Sequence, residues 1–235
     1  MDLSRRSYET EIMDDLSSQG AIITQTLREL EFINKWLGGN AVTLGALNKI
    51  RARLGNGSPV TIADLGCGGG DMLRIVNSWA VRNGIRVNLV GIDANPNIVE
   101  YARKNLSDLP NVTFLHADVF SAEFAQMRFD VVIGTLFFHH FTQQQLIQFF
   151  AQVRKQVRVA LIINDIHRHF LAYYSIKILT KLFSKSPMVV HDAPLSVERA
   201  FSREELRSAL VKSGFEEFVI AWKWAFRWQI VASSR

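Results

Sequence analysis

A run of glycines at residues 64–70, with the sequence Asp-Leu-Gly-Cys-Gly-Gly-Gly, is the first feature that could do chemistry. Glycines between a strand and a helix let backbone N–H groups approach a polar ligand closely. The dinucleotide pattern G-x-G-x-x-G would require glycine where this chain has Asp71. The Asp64 carboxylate would repel pyrophosphate and attract an ammonium group. The loop therefore predicts a ligand with a positive charge, bound by Asp64, Gly66, Cys67, Gly68 and Gly70.

Further candidate side chains follow other strands of the predicted sheet. Asp93 ends the second strand, His139 and His140 follow the fourth, and His167 follows the fifth. Ligands in open α/β sheets bind beyond the carboxyl ends of the strands, so these side chains are expected to share one site. The other candidates for that site are Ala94, Asn95, Asp118, Val119 and Thr135.

The strands that must position these residues are short apolar, β-branched runs separated by helical stretches. This alternation is typical of a parallel sheet with helices on both faces. The linker Lys223-Trp224-Ala225 is too short for a helical crossover, so the last two strands should form an antiparallel hairpin at the sheet edge. We expect a doubly wound, mostly parallel α/β sheet of seven strands. They are predicted at Val60–Leu65, Val87–Ile92, Val112–Leu115, Phe129–Gly134, Val157–Ile163, Glu217–Trp222 and Phe226–Ala232.

Helices are predicted both between these strands and before them. Within the sheet region they lie near Asp71–Val81, Pro96–Leu106, Gln143–Gln156 and from Ser202 to Gly214. Before it, apolar residues at helical spacing predict helices at Ala21–Leu37 and Val42–Leu54. The predicted division is a helical cap at residues 1–57 and a domain at residues 58–235, with a lid insertion at about residues 166–200.

With D-x-G-x-G-x-G at residues 64–70 and Val-Gly-Ile-Asp at residues 90–93, the chain resembles class I S-adenosylmethionine (SAM)-dependent methyltransferases. The resemblance extends from the glycine loop through the final hairpin. It implies that Asp93 binds both ribose hydroxyls of SAM and that Ala94 and Asn95 lie next to the adenine. A carboxylate is suited to accept from two vicinal hydroxyls.

The resemblance also implies an adenine-binding turn at residues 116–119, His-Ala-Asp-Val. In this turn, Asp118 would accept from the exocyclic amine and Val119 would pack on the ring. The alternative for Asp118 is a helix cap, because Asp is common at helix starts.

The residues after the fourth strand are similar to those of small-molecule O-methyltransferases, in which a histidine at the position of His139 deprotonates a hydroxyl. Imidazole exchanges protons near neutral pH and is suited to this role. The family's histidine is often followed by Asp, but here His140 follows, so a purely structural ring is an open alternative. His167 could replace or assist His139, or it could begin the lid helix together with His169.

The lid insertion and the pair Phe137-Phe138 favour a small hydrophobic or aromatic acceptor, although the apolar lid residues could equally be buried. Such lids can also mediate homodimers. No His or acid pair has zinc-ligand spacing with a third ligand, so we expect no metal. The chain has no candidate membrane span and no secretory signal in its first residues, which predicts a cytoplasmic protein with no membrane partner.

Two alternatives to O-methylation are considered from the sequence. A nicotinamide-dependent oxidoreductase shares this type of sheet, but the loop spacing disfavours it. The net charge of +5 and the pI near 9.5 would suit an RNA-modifying or nucleic-acid-binding protein, but Lys and Arg are scattered among acids. Residues 134–137, Gly-Thr-Leu-Phe, also lack the Pro-Pro-aromatic pattern of enzymes that methylate base amino groups.

Overall fold

The computed structural model describes residues 3–55 and 57–233. They contain a seven-stranded sheet with the order β3-β2-β1-β4-β5-β7-β6. Strands β1 to β5 are parallel, and β7 pairs antiparallel with both β5 and β6. The strands are β1 Val60–Leu65, β2 Val87–Asp93, β3 Val112–His116, β4 Phe129–Thr135, β5 Val157–Ile166, β6 Glu217–Lys223 and β7 Arg227–Ser233. The predicted fold class and the hairpin at the sheet edge are therefore confirmed.

Nine α-helices are assigned in these two ranges of residues. They are α1 Ala21–Trp36, α2 Gly39–Ile50, α3 Asp71–Arg82, α4 Pro96–Asn105, α5 Ala122–Gln126, α6 Gln143–Gln156, α7 Phe170–Phe183, α8 Pro187–Arg199 and α9 Arg203–Lys212. The sequence pattern missed α5, which is only five residues long and is capped by the Ser121 side chain. It also placed the end of β5 at Ile163, whereas the strand continues to Ile166.

Helices cover both faces of the sheet, and each face has its own apolar cluster. One cluster includes Leu47 of α2 and Trp79 of α3, and the other includes Phe149 of α6 and Leu206 of α9. The central strands are buried on both sides, which explains their continuous apolar sequence. This packing fixes the carboxyl ends of β1, β2, β4 and β5, from which the candidate residues project.

The lid insertion consists of α7 and α8, which pack against each other. The sequence analysis did not predict the second lid helix, α8, which contains Pro187 and Pro194, residues that are unfavourable in a helix interior. Pro187 instead occupies the first turn of α8, next to the Ser186 cap, where its missing N–H costs little. Residues 1, 2, 56, 234 and 235, which fall within the predicted cap and domain, lie outside the described residues. In the part of the chain that the structure describes, no helix is long and apolar enough to cross a bilayer.

Candidate functional site

A cavity of about 550 Å³ lies beyond the carboxyl ends of the parallel strands. Its floor is the glycine loop, and its walls come from the N-terminal segment, α1, the lid helices and the turn between β6 and β7. The wall includes ten of the predicted site residues. They are Asp64, Gly66, Cys67, Gly68, Asp93, Ala94, Asn95, Thr135, His139 and His140.

The glycine loop makes a tight turn from β1 into α3. Gly66, Gly68 and Gly70 all have φ between +51° and +79°, a region that favours glycine. The Cys67 N–H donates to the Ile92 carbonyl at 3.1 Å, which ties the loop to the end of β2. The Cys67 side chain is buried, and burial raises the pKa of its thiol, so it packs as a small apolar group.

Gly66→Ala is expected to destabilise the protein by about 1–3 kcal/mol. Gly66 has φ +61°, and an added Cβ would lie 2.4 Å from the Phe137 ring, so both the backbone and the neighbouring side chain would have to move. The free energy of unfolding in urea measures the effect. Gly55→Ala is the matched control, because nothing lies within 4 Å of that position. Equal stability of the two variants would contradict this account of the turn.

Three carboxyl groups, Asp64, Asp71 and Asp93, lie at this end of the cavity, and none of them is paired with a Lys or Arg among the described residues. Burial raises the pKa of Asp64 well above its usual range, and Asp71 and Asp93 add to the effect. Burial, with a contribution from Glu31 of α1, also raises the pKa of Asp71 to about 6. Buried carboxylates without a positive partner favour a cationic ligand. The electrostatics therefore agree with the ammonium group that the sequence predicted for this loop.

Asp93, the last residue of β2, is held in a fixed orientation by backbone donors. Its Oδ2 accepts from the Gly68 N–H at 3.2 Å, and its Oδ1 accepts from the Asn95 N–H at 3.0 Å. The Asn95 side chain caps α4 by accepting from the Asn97 and Ile98 N–H groups. The carboxylate lies on the cavity wall, so its remaining lone pairs can accept hydroxyl donors of a ligand.

The predicted adenine-binding turn is not on this wall. Asp118 is exposed, and its Oδ1 accepts from the Phe120 N–H at 2.9 Å, as in a local turn. Val119 is buried in the apolar cluster beneath α6. Gly70 also lies off the wall, and it packs against Leu106 and Phe114. The contribution of Asp118 and Val119 to cofactor binding remains a prediction.

His139 forms a buried pair with Asp165 at the end of β5. Its Nδ1 lies 2.7 Å from Asp165 Oδ1, and the imidazole has 2% exposure. Asp165 Oδ2 also accepts from the Phe138 and His139 N–H groups, at 2.7 and 3.1 Å. Burial alone would raise the pKa of Asp165, but His139 and the Ile166 N–H hold it below its usual value. An ionised Asp165 can only accept, so Nδ1 carries the proton and Nε2 is left as the acceptor.

The N-terminal segment adds two acids that the sequence did not reveal as site residues. Glu11 Oε1 lies 3.6 Å from His139 Nε2, and Asp14 Oδ1 lies 2.6 Å from His140 Nδ1. Both acids also face Arg199 of α8, at 3.7 and 2.5 Å. The only local signal was a short acid-rich stretch with no periodicity, and its contact with residues 139–140 spans more than 120 positions of the chain.

Glu11, His139 and His140 have ligand atoms within 4.8 Å of one another, close enough to consider a metal ion. The Arg199 guanidinium already lies against Glu11 of this cluster and against Asp14, the partner of His140, so an added cation would meet a resident positive charge. The resident guanidinium therefore disfavours a metal ion bound by these three residues.

Glu11→Gln is expected to change how stability depends on pH. Burial raises the pKa of Glu11 from 4.5 to about 7, so the folded state binds this proton more tightly than the unfolded chain does. Its contribution to stability is full below pH 4.5 and is lost as pH rises through about 7, a change of about 3 kcal/mol. The free energy of unfolding in urea of Glu11→Gln, compared with that of the unmodified protein, should therefore increase between pH 5 and 8. The exposed neighbour Glu9, replaced in the same way, should show no such gain; a parallel gain would contradict the assignment.

His167 does not lie on the cavity wall. Its ring packs on Trp228 at a centroid distance of 4.5 Å, and its backbone N–H donates to the Phe226 carbonyl at 2.8 Å. His169 caps the first turn of α7 by accepting from the Leu171 N–H. The structure thus separates these two histidines from the buried pair of His139 and Asp165.

The parallel sheet, the glycine loop and the acid ending β2 are together typical of α/β enzymes that bind a nucleoside-type cofactor at the carboxyl ends of their strands. Residues 62–159 match a family model described as a methyltransferase domain. This segment is similar to the methyltransferase domain family, and the sheet has the Rossmann-like fold of class I methyltransferases. No curated protein matches the sequence.

Solved structures of similar fold include several methyltransferases. The plantazolicin methyltransferase BpumL in complex with S-adenosylhomocysteine (SAH) has a TM-score of 0.63 at 18% identity, covering 91% of this chain and 89% of that chain. Magnesium protoporphyrin IX methyltransferase from Synechocystis PCC 6803, with bound SAH, has a TM-score of 0.56 at 19% identity, covering 87% of each chain. The CurJ carbon methyltransferase has a TM-score of 0.63 at 16% identity, covering 83% of this chain and 54% of that chain. At these identities the likeness concerns the fold.

Proposed function

We propose that this methyltransferase transfers the methyl group of SAM to a hydroxyl oxygen of a small hydrophobic or aromatic metabolite. The observation that carries the proposal is the buried pair of His139 and Asp165, which places an imidazole acceptor on the wall of the cofactor cavity. A hydroxyl is a poor nucleophile until its proton leaves, so an imidazole acceptor on this wall suits methylation of oxygen.

The chemistry requires little from the protein beyond positioning and one proton transfer. The acceptor oxygen attacks the methyl carbon as the bond from that carbon to sulfur breaks, giving a methyl ether and SAH. The hydroxyl proton moves to Nε2 of His139, and Asp165 stabilises the resulting imidazolium through Nδ1. A base of this kind contributes about 10²–10⁴-fold, and alignment of oxygen, carbon and sulfur supplies much of the remaining rate.

The part of the cavity next to the lid supports an apolar acceptor. Side chains of α7 and α8 that line it are predominantly aliphatic, while polar groups concentrate near the glycine loop and the two histidines. The larger apolar lining residues of the lid are Ile176, Leu179, Met188, Val189 and Val197. A pocket of this composition gains most from apolar surface and uses its few polar groups to orient the ligand.

Product analysis with labelled SAM tests the proposal. The protein should methylate small phenols or other apolar hydroxyl compounds, and NMR of the product should show a methyl ether. A product methylated only on carbon or nitrogen would contradict the oxygen assignment, yet it would leave SAM-dependent methyl transfer intact. Transfer to RNA, abolished by added salt, would favour the nucleic-acid alternative.

We also propose how the chain is divided between a cap and a catalytic domain. Residues 1–57 would act as a helical cap and residues 58–235 as the catalytic domain, because α1 and the N-terminal segment contribute to the cavity wall. We also propose a cytoplasmic location and metal-independent catalysis. Sedimentation equilibrium would test the homodimer that the sequence analysis associated with such lids.

A further inference from the structure

Helix α7 presents an apolar face to the outside of the protein. Seven of its 14 residues are large apolar side chains that are exposed. Leu182 and Phe183 are the most exposed of these, at 68% and 76%. The others are Phe170, Leu171, Tyr174, Ile178 and Leu179. Contiguous apolar surface of this kind marks an interaction site, unlike single exposed residues such as Val81 of α3. We call these seven residues the α7 face.

The α7 face adjoins the mouth of the cofactor cavity. Leu179 belongs both to the face and to the cavity wall, and Trp224 of the turn between β6 and β7 is 75% exposed and lines the same wall. This turn touches α7, because Phe226 packs with Ala172 and Tyr173. The other end of α7 meets α1, since the Lys185 N–H donates to Glu29 at 3.0 Å. An apolar surface thus surrounds the entrance for an apolar acceptor.

Positive charge borders the α7 face. Lys177 and Lys181 lie four residues apart, on one side of the helix, and both are exposed. Lys185 lies two residues beyond the last residue of the helix, and α7 itself contains no Asp or Glu. Lysines beside exposed aromatic and aliphatic side chains are typical of helices that lie in the interface of an anionic bilayer.

Self-association through this face is disfavoured by the same charges. In a twofold dimer the α7 face of one copy would meet the α7 face of the other. Lys177 and Lys181 of the two copies would then approach one another, and α7 has no acid to pair with them. An anionic lipid surface complements both the apolar centre of the face and its basic edge.

We propose that the α7 face docks on the surface of an anionic membrane, with the cavity mouth turned toward the lipid. This differs from the sequence-based expectation of no membrane partner, which rested on the absence of a spanning segment. Surface docking requires no span, only partial burial of the exposed side chains in the interface. Docking in this orientation would let an acceptor dissolved in the membrane enter the cavity without passing through water.

Cosedimentation of the full chain with vesicles tests the proposal. The protein should bind vesicles that contain phosphatidylglycerol and bind vesicles of phosphatidylcholine alone more weakly. The double variant Leu182→Glu/Phe183→Glu should lose at least about tenfold in partition coefficient, because both side chains would no longer enter the interface. Val81→Glu/Val211→Glu is the matched control, since both residues are exposed and apolar on other helices.

A second variant separates the charge from the apolar contact. Lys177→Gln/Lys181→Gln should weaken binding to the anionic vesicles, and added salt should have the same effect on the unmodified protein. No binding of the unmodified protein to anionic vesicles, or equal binding of the Leu182→Glu/Phe183→Glu variant, would overturn the proposal. A third result would also overturn it: the unmodified protein is a dimer that does not bind vesicles, and the Leu182→Glu/Phe183→Glu variant is a monomer. The assay contains no acceptor, so its failure would leave the proposed methyl transfer untouched.

Discussion

Asp93→Ala is expected to lower the affinity for SAH by about 100-fold or more. The carboxylate lies at the end of β2 and is oriented by the Gly68 and Asn95 N–H groups, so its free lone pairs are presented to the cavity. Two hydrogen bonds from ribose hydroxyls to a carboxylate would contribute about 1.5–3 kcal/mol each, and Ala removes both. Isothermal titration calorimetry with SAH measures the loss without requiring an acceptor.

Two further variants make the result specific to the carboxylate. Asp93→Asn keeps one oxygen acceptor and should lose less affinity than Asp93→Ala. Asp108→Ala removes an exposed acid that pairs with Arg74, away from the cavity, and should bind SAH as the unmodified protein does. Undiminished affinity in Asp93→Ala would show that the ribose lies elsewhere. A loss in Asp118→Ala would support the adenine-binding turn even though Asp118 is off the cavity wall.

The sheet and the glycine loop could be predicted because their signals are local. Buried parallel strands are continuous apolar runs, and the turn after β1 requires glycine at positions of positive φ. Sequence spacing alone was therefore enough to place Asp64, Asp93 and His139 near one another. The end of β5 was less clear, because Asn164 and Asp165 are polar residues that are buried in a strand.

The acids around the histidines could not be predicted, because they depend on tertiary packing. Glu11 and Asp14 belong to a single 3-10 turn that packs on α8, where Asp192 accepts from the Ile12 and Met13 N–H groups. Nothing in the sequence pairs this turn with residues after β4. In the same way, the proline inside α8 concealed the helix that supplies Arg199. The base could be suggested from sequence, but its charged surroundings could not.

His139→Gln is expected to lower kcat by about 10²–10⁴-fold at neutral pH while SAH affinity stays within a small factor. The amide cannot accept the hydroxyl proton, but it leaves the glycine loop and Asp93 in place. Asp165→Asn should lower kcat in the same direction, because an amide cannot stabilise the imidazolium, although it can still accept from the Phe138 N–H. Steady-state rates against pH, with single-turnover controls, measure both variants.

The other histidines decide whether the base is His139 alone. His140 stacks beside His139 at a centroid distance of 4.3 Å and is paired with Asp14, so His140→Gln should lower kcat less than His139→Gln. His167 lies behind the cavity wall, on Trp228, and His167→Gln should alter stability more than rate. Full turnover in His139→Gln would remove His139 as the base. A loss confined to His140→Gln would transfer the role to His140 and its partner Asp14, because among the described residues His139 and His140 are the only histidines that line the cavity.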